Sequence, residues 1–174
     1  MLTSPPEYTR LVDEINNLRY SFDVEITKIP HQVLGNKTKA ISAEDIKAGL
    51  YAQLILDMKK AMVDNMGVGL AANQVGQDLS IFVIDPKLTL ENKVPEVYFN
   101  PEITEYSTEI DYIEEGCLSI PGFYMEIPRS KKIMFKALDE HGKKVKFKAR
   151  GFLARVLQHE TDHLNGLVIK DRAR

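Results

Sequence analysis

An α+β fold is what the 174-residue sequence predicts, with small antiparallel β-sheets packed around a central helix near the end of the chain. Three observations carry this expectation. Apolar residues from Ile46 to Met62 recur at helical spacing. The stretch after them breaks into short strand-like runs and a hairpin. A last helix then carries the H-E-x-x-H pattern at His159–His163.

Taken in order, residues 5–20 read as a short helix. Tyr8, Leu11, Val12, Ile15 and Leu18 share one face, and Ser4–Pro5 can start it. This gives an N-terminal helical extension, residues 1–22, ahead of a domain over 23–174. "FDVEITKIP" is expected to be extended, and residues 31–41 form a polar loop with Gly35 and Asn36. Ser42, with Asp45 three residues on, caps a long helix. Its apolar positions are Ile46, Leu50, Tyr51, Leu54, Ile55, Met58 and Met62, and Gly67 stops it. "SIFVID" (80–85), "EVYFN" (96–100) and "FYMEI" (123–127) read as strands. "KIMFKALDEHGKKVKFKA" reads as a hairpin turning at Asp139–Gly142. The last helix begins near Gly151 or Phe152, runs to about Leu164 and stops at Asn165–Gly166. "LVIKD" is then expected to form a final strand. Repeats, low-complexity tracts and linkers are absent.

Hydrophobic residues make up 44% and charged residues 28% of the chain, the mix of one globular domain. Net charge is −2 with no basic run, so neither a nucleic-acid groove nor an acidic-membrane surface is indicated. No apolar stretch has the length of a membrane span. The first twenty residues lack the apolar core of a secretory signal, and Glu7, Asp13 and Glu14 are unlike a transit peptide. Cys117 is the only cysteine, which excludes an internal disulfide and points to the cytoplasm.

His159 and His163, four residues apart on a helix, project from one face and can bind one ion together. Glu160, beside the first of them, is placed to act as general base on a water. A catalytic centre needs a third protein ligand. Downstream the only carboxylate is Asp171, and Ile169 fills the position where an extended motif, marked here by Gly166, would put a third histidine. The ligand therefore lies upstream, among Cys117, His31, His141 and the carboxylates. His141 falls in the hairpin turn and His31 in a loop. Beside an incomplete histidine pair Cys117 is favoured, because a thiolate is a strong ligand for zinc or ferrous iron. "GVGLAANQVG" (67–76) lets backbone approach a partner closely. Taken alone, that segment reads as an ordinary turn with Gln74 exposed.

Three stretches together, "GVGLAANQ" (67–74), "EGCLS" (115–119) and "QHETDH" (158–163), resemble the peptide deformylase family, over roughly residues 24–170. The resemblance implies removal of the formyl group from the N-terminal methionine of new polypeptides, with release of formate. It implies that Cys117, His159 and His163 hold one divalent metal ion, ferrous iron foremost, with zinc, nickel or cobalt as other occupants. Glu160 is then base and acid, while Gln74 and the Leu118 N–H polarise the formyl oxygen. Val68, Gly69 and Gly116 would pair with the extended peptide. Val68, Ile113, Phe152, Val156 and the stem of His159 would wall the methionine pocket. Glu115, Arg129 and Asp162 would brace the ligands, although Arg129 alone also reads as a surface charge. The implied partners are N-formyl-methionyl peptides and, transiently, the ribosome. Departures from the family pattern are Asn73 before the glutamine, "PHQVLG" at 30–35, Tyr124 in place of arginine, and Arg155 at an apolar position. The alternative is another mononuclear metallo-amidase or aminopeptidase using the same Cys/His/His site.

Overall fold

The computed structural model describes residues 24–172, so the helix expected over 5–20 lies outside the described residues. Helices α1 (Ala43–Lys47) and α2 (Ala52–Asp64) precede strands β1 (Gly69–Ala71) and β2 (Ile81–Ile84). Helix α3 (Pro86–Asn92) leads to β3 (Val97–Tyr106), β4 (Ile110–Cys117), β5 (Ile120–Ser130), β6 (Lys132–Leu138) and β7 (Lys144–Arg150). Helices α4 (Gly151–Leu164) and α5 (Ile169–Arg172) close the described chain. Among the described residues no helix is long and apolar enough to cross a membrane.

The strands form a five-stranded antiparallel sheet, ordered β1-β2-β3-β6-β7, and a separate β4-β5 ribbon. Successive residues of a strand point to opposite faces, and both faces of the large sheet are covered. Leu70, Ile81, Val83, Val97 and Phe99 pack with Ile55, Met58 and Met62 of α2. Ala71, Phe82, Ile84, Tyr98 and Phe135 pack with Leu153, Ala154 and Leu157 of α4. "IFVI" is therefore buried at every position instead of alternating. Helix α4 lies across the sheet, and Leu157 alone fixes enough apolar contact that truncation to Ala would cost about 2–5 kcal/mol.

Three expectations are corrected. The single helix expected from Ser42 is two. Ser42 does cap α1 through a hydrogen bond from the Asp45 N–H, but Gly49 takes φ +71, a left-handed conformation that ends a helix. "LVIKD" is not a strand: residues 169–172 are helical, the Val168 N–H donates to Asp171 Oδ2 at 2.8 Å, and Ile169 packs under the β4-β5 ribbon. Gly116 and Pro121–Gly122, which by sequence would bracket a short strand at Cys117, instead lie within two longer ones: β4 runs from Ile110 to Cys117 and pairs with β5 throughout. The hairpin at residues 132–150 matches expectation, turning at Asp139–Gly142 with Lys132 opposite Arg150. Helix α4 ends as expected: Gly166 has φ +75, and a side chain there would strike the backbone of Gly35 at 2.7 Å.

Candidate metal centre and active site

Helix α4 is buried along most of its length and carries an unusual number of polar side chains inward: Arg155, Gln158, Glu160, Thr161, Asp162 and His163. Each needs a partner, because an unpaired buried polar group is costly. Gln158 accepts from the Ser130 N–H (3.1 Å) and donates to the Ser130 carbonyl (2.9 Å), which stitches α4 to β5. With that face fixed, His159 and His163 converge, their Nε2 atoms 3.2 Å apart. Strand β4 brings in Cys117, whose Sγ lies 3.3 Å from His163 Nε2. The three ligand atoms fall within 4.8 Å of one another, the one such trio among the described residues. His31 instead caps a 3₁₀ turn by accepting from the Val33 N–H, and His141 is exposed in the hairpin turn.

Charge explains what this trio is for. His159 Nδ1 lies 2.9 Å from Glu115 Oε2, so Nδ1 carries the proton and the Nε2 lone pair faces His163 and Cys117. Two ring nitrogens and a sulfur then point at one spot, an arrangement that repels itself unless a cation sits there. Burial opposes charge on His159, yet its bonds to Cys117 and Glu115 and the nearby Glu160 raise its pKa to about 10. His163 is pushed well below its ordinary value by burial and then by His159. The soft thiolate and two imidazoles suit a single transition-metal or zinc ion and leave a coordination position open.

Glu160 lies beside this centre, 3% exposed, and its Oε2 is buried with no hydrogen-bond partner. Burial raises its pKa to about 7, well placed for both taking and giving a proton near neutrality. Gly69 makes the room: a Cβ there would lie 2.7 Å from Glu160 Cδ. The exposed-turn reading of Gln74 is overturned, since it is 2% exposed. Its Oε1 accepts from the Ala71 N–H (3.0 Å), while its Nε2 donates to Ser119 Oγ (3.2 Å) and lies 3.7 Å from Cys117 Sγ. Arg129 is likewise no surface charge. At 4% exposure it grips Glu115 with Nε and Nη2, both at 2.9 Å, and reaches Asp162 with Nη1 at 2.5 Å. Burial opposes the charge of Glu115, but the bonds from His159 and Arg129 hold its carboxyl well below the usual carboxylate range.

A cavity of about 510 Å³ opens onto Cys117, His159 and Glu160. Val68, Ile113, Phe152, Val156 and His159 line it, as do Gly116 and Leu118, whereas Gly69 sits behind against Glu160. The Tyr124 ring covers Gly116, and a Cβ on Gly116 would come 2.7 Å from Cε1 of that ring. Two contributors were not singled out from sequence as site residues: Ser119, which holds Gln74, and Arg155, whose Nη1 donates to Glu115 Oε1 at 2.6 Å. A signal for Arg155 was present, since it stands one helical turn before His159.

A shaped cavity ending at an open three-ligand centre, with an unpaired carboxylate beside it, defines a mononuclear metallohydrolase. A model of the polypeptide deformylase family matches residues 24–174. The peptide deformylase of Dictyoglomus turgidum is 46% identical over 151 residues, covering 86% of this chain and 92% of that one. The crystal structure of the Thermotoga maritima enzyme superposes with a TM-score of 0.78 at 38% identity, covering 87% and 97% of the two chains. A class I type b peptide deformylase from Acinetobacter baumannii, solved with Met-Ala-Ser bound, gives 0.77 at 32% identity over 86% and 97%. The chain belongs to the polypeptide deformylase family.

Proposed function

We propose that the protein hydrolyses the N-formyl group from the N-terminal methionine of new polypeptides, releasing formate and a free amine. The observation that carries this is the buried, unpaired Glu160 beside the Cys117–His159–His163 trio at the end of an apolar cavity. A divalent ion held by those three residues supplies Lewis acidity and lowers the pKa of a water. Ferrous iron is the foremost occupant, with zinc, nickel or cobalt as others, because thiolate and imidazole suit all four. Glu160 takes a proton from the attacking water and returns it to the leaving amine. The Gln74 amide and the Leu118 N–H donate to the formyl oxygen as negative charge develops there. Glu115, clamped by Arg129, fixes the His159 tautomer, and Asp162 holds Arg129 from behind.

The peptide lies extended. Strand β1 is an edge of the large sheet, so it can accept an added strand. In this reading Val68 and Gly69 offer backbone on one side of the peptide and Gly116 on the other. The methionine side chain enters between Val68, Ile113, Phe152, Val156 and the His159 stem. Residues 1–22 form an extension to a catalytic domain over 23–174, a division supported by a family match that begins at residue 24. The enzyme works in the cytoplasm, where formylated chains leave the ribosome, and its contact with the ribosome is transient.

The test is metal analysis and formyl-Met-peptide hydrolysis on one anaerobic preparation of wild type and Cys117→Ala. Wild type is expected to carry one metal per chain and release formate, and Cys117→Ala to lose both properties. Full metal retention by Cys117→Ala would overturn the ligand assignment. Wild type that cleaves free-amine peptides but not formyl peptides would favour an aminopeptidase.

A further inference from the structure

We infer that Arg155 is a positioning residue for the metal centre, clamping the helix that bears both histidines to the strand that bears Cys117. The inference rests on the reading that Cys117, His159 and His163 hold a cation. Arg155 precedes His159 by one helical turn, so it lies on the same face of α4, and it is 4% exposed. Its guanidinium reaches three places at once. Nη1 donates to Glu115 Oε1 (2.6 Å) and to the Ile127 carbonyl (3.0 Å). Nη2 donates to the Asp111 carbonyl (3.1 Å) and pairs closely with Asp111 Oδ1. Asp111 and Glu115 are on β4 and Ile127 is on β5, so one side chain fastens α4 to both strands of the ribbon.

Glu115 is where the clamp meets the ligands. It stands two residues before Cys117, and its carboxylate receives four donors. Arg129 Nε and Arg155 Nη1 meet Oε1, and Arg129 Nη2 and His159 Nδ1 meet Oε2. Arg129, from β5, reaches α4 one turn further on, through Asp162. Arg155 adds the link at the other side of His159, joins α4 to β4 as well as β5, and so helps set how far Cys117 stands from His159 and His163. A planar fork with several fixed donors can do this; an ammonium on a flexible stem cannot hold all the acceptors together. The outer anchor, Asp111, has a third of its side chain exposed and touches no proposed ligand; its carboxylate meets the centre's network at Arg155.

The experiment follows zinc release from the reconstituted full-length protein into excess chromogenic chelator, well below the melting temperature. Arg155→Met is expected to release zinc about 10–100-fold faster than wild type, the usual effect of removing a residue that orients a metal ligand. Arg155→Lys is expected not to restore slow release. Asp111→Asn, which keeps Arg155, is expected to fall between wild type and Arg155→Met, and it serves as the test if Arg155→Met does not fold. Val97→Ala, on the sheet face away from α4, is the control for lowered stability and should release zinc like wild type. Release from Arg155→Met and Asp111→Asn at the wild-type rate would overturn the clamp. So would equal acceleration in Val97→Ala, rescue by Arg155→Lys, or a wild type that retains no zinc. Wild type that holds zinc but hydrolyses no formyl peptide would leave the clamp standing and sink the deformylase reading instead.

Discussion

Glu160→Gln should stabilise the metal-free protein, and only at a pH where Glu160 would otherwise be charged. Burial raises the Glu160 pKa from 4.5 to about 7, and its Oε2 finds no donor. The folded chain therefore binds more protons than the unfolded chain between those values, and stability falls as pH rises through that window. The full cost is (7 − 4.5) × about 1.36 kcal/mol, or about 3 kcal/mol, reached above pH 7. At pH 5 the same relation leaves less than about 1 kcal/mol. Glutamine keeps the shape and removes the charge. Denaturant unfolding in the presence of chelator should show Glu160→Gln more stable than wild type by about 3 kcal/mol at pH 8, with little gain at pH 5. In melting temperature the pH 8 gain is about 6–12 °C for a chain of this size. Metal-loaded protein should show a smaller gain, because a cation offsets the carboxylate charge. The same variant, loaded with metal, should lose about 10²–10⁴ in kcat as the proton carrier is removed. A gain equal at both pH values, or absent at pH 8, would refute the account of Glu160 as a charge held in place against its own burial cost.

Gly69→Ala should act through Glu160, the side chain that the new Cβ would meet. The added Cβ meets the end of a flexible side chain, so the fold should survive, while displacement of the base by about 1 Å should lower kcat/KM by about 10²-fold. Unchanged kinetics with a lowered melting temperature would show that Glu160 is not held where it acts. Acyl selectivity is a second readout. Formyl presents only hydrogen on the side away from its oxygen, and Gln74 and Leu118 belong to buried or tightly held segments, so an acetyl methyl has nowhere to go. N-formyl-Met peptides should exceed matched N-acetyl-Met peptides by at least roughly 10³ in kcat/KM. A ratio below about tenfold would mean that the site yields like an open apolar pocket.

Local chemistry determined much of this protein from sequence alone. His159 and His163 share a face because four residues make about one helical turn, whatever surrounds them. The hairpin over 132–150 is likewise local, since its strands alternate and its turn residues sit between them. Elimination along the chain puts the third ligand upstream, and the affinity of a thiolate for zinc or ferrous iron favours Cys117 there; the fold brings its Sγ to 3.3 Å from His163 Nε2. Other features had no local cause to read. "LVIKD" is as apolar as a strand, but it becomes helical where Asp171 accepts from the Val168 N–H and Ile169 packs beneath the β4-β5 ribbon. Gln74 belongs to a turn-like segment and Arg129 to a strand with several exposed neighbours. Both are buried because distant segments, Ser119 for one and Glu115 with Asp162 for the other, supply the partners that make burial tolerable. In sequence Arg155 stands out as a charge at an apolar position, one helical turn before His159. Its partners, Asp111, Glu115 and Ile127, lie 28 to 44 residues away, and pairings at that distance are set by how sheet and helix pack, which no residue in the sequence specifies by itself.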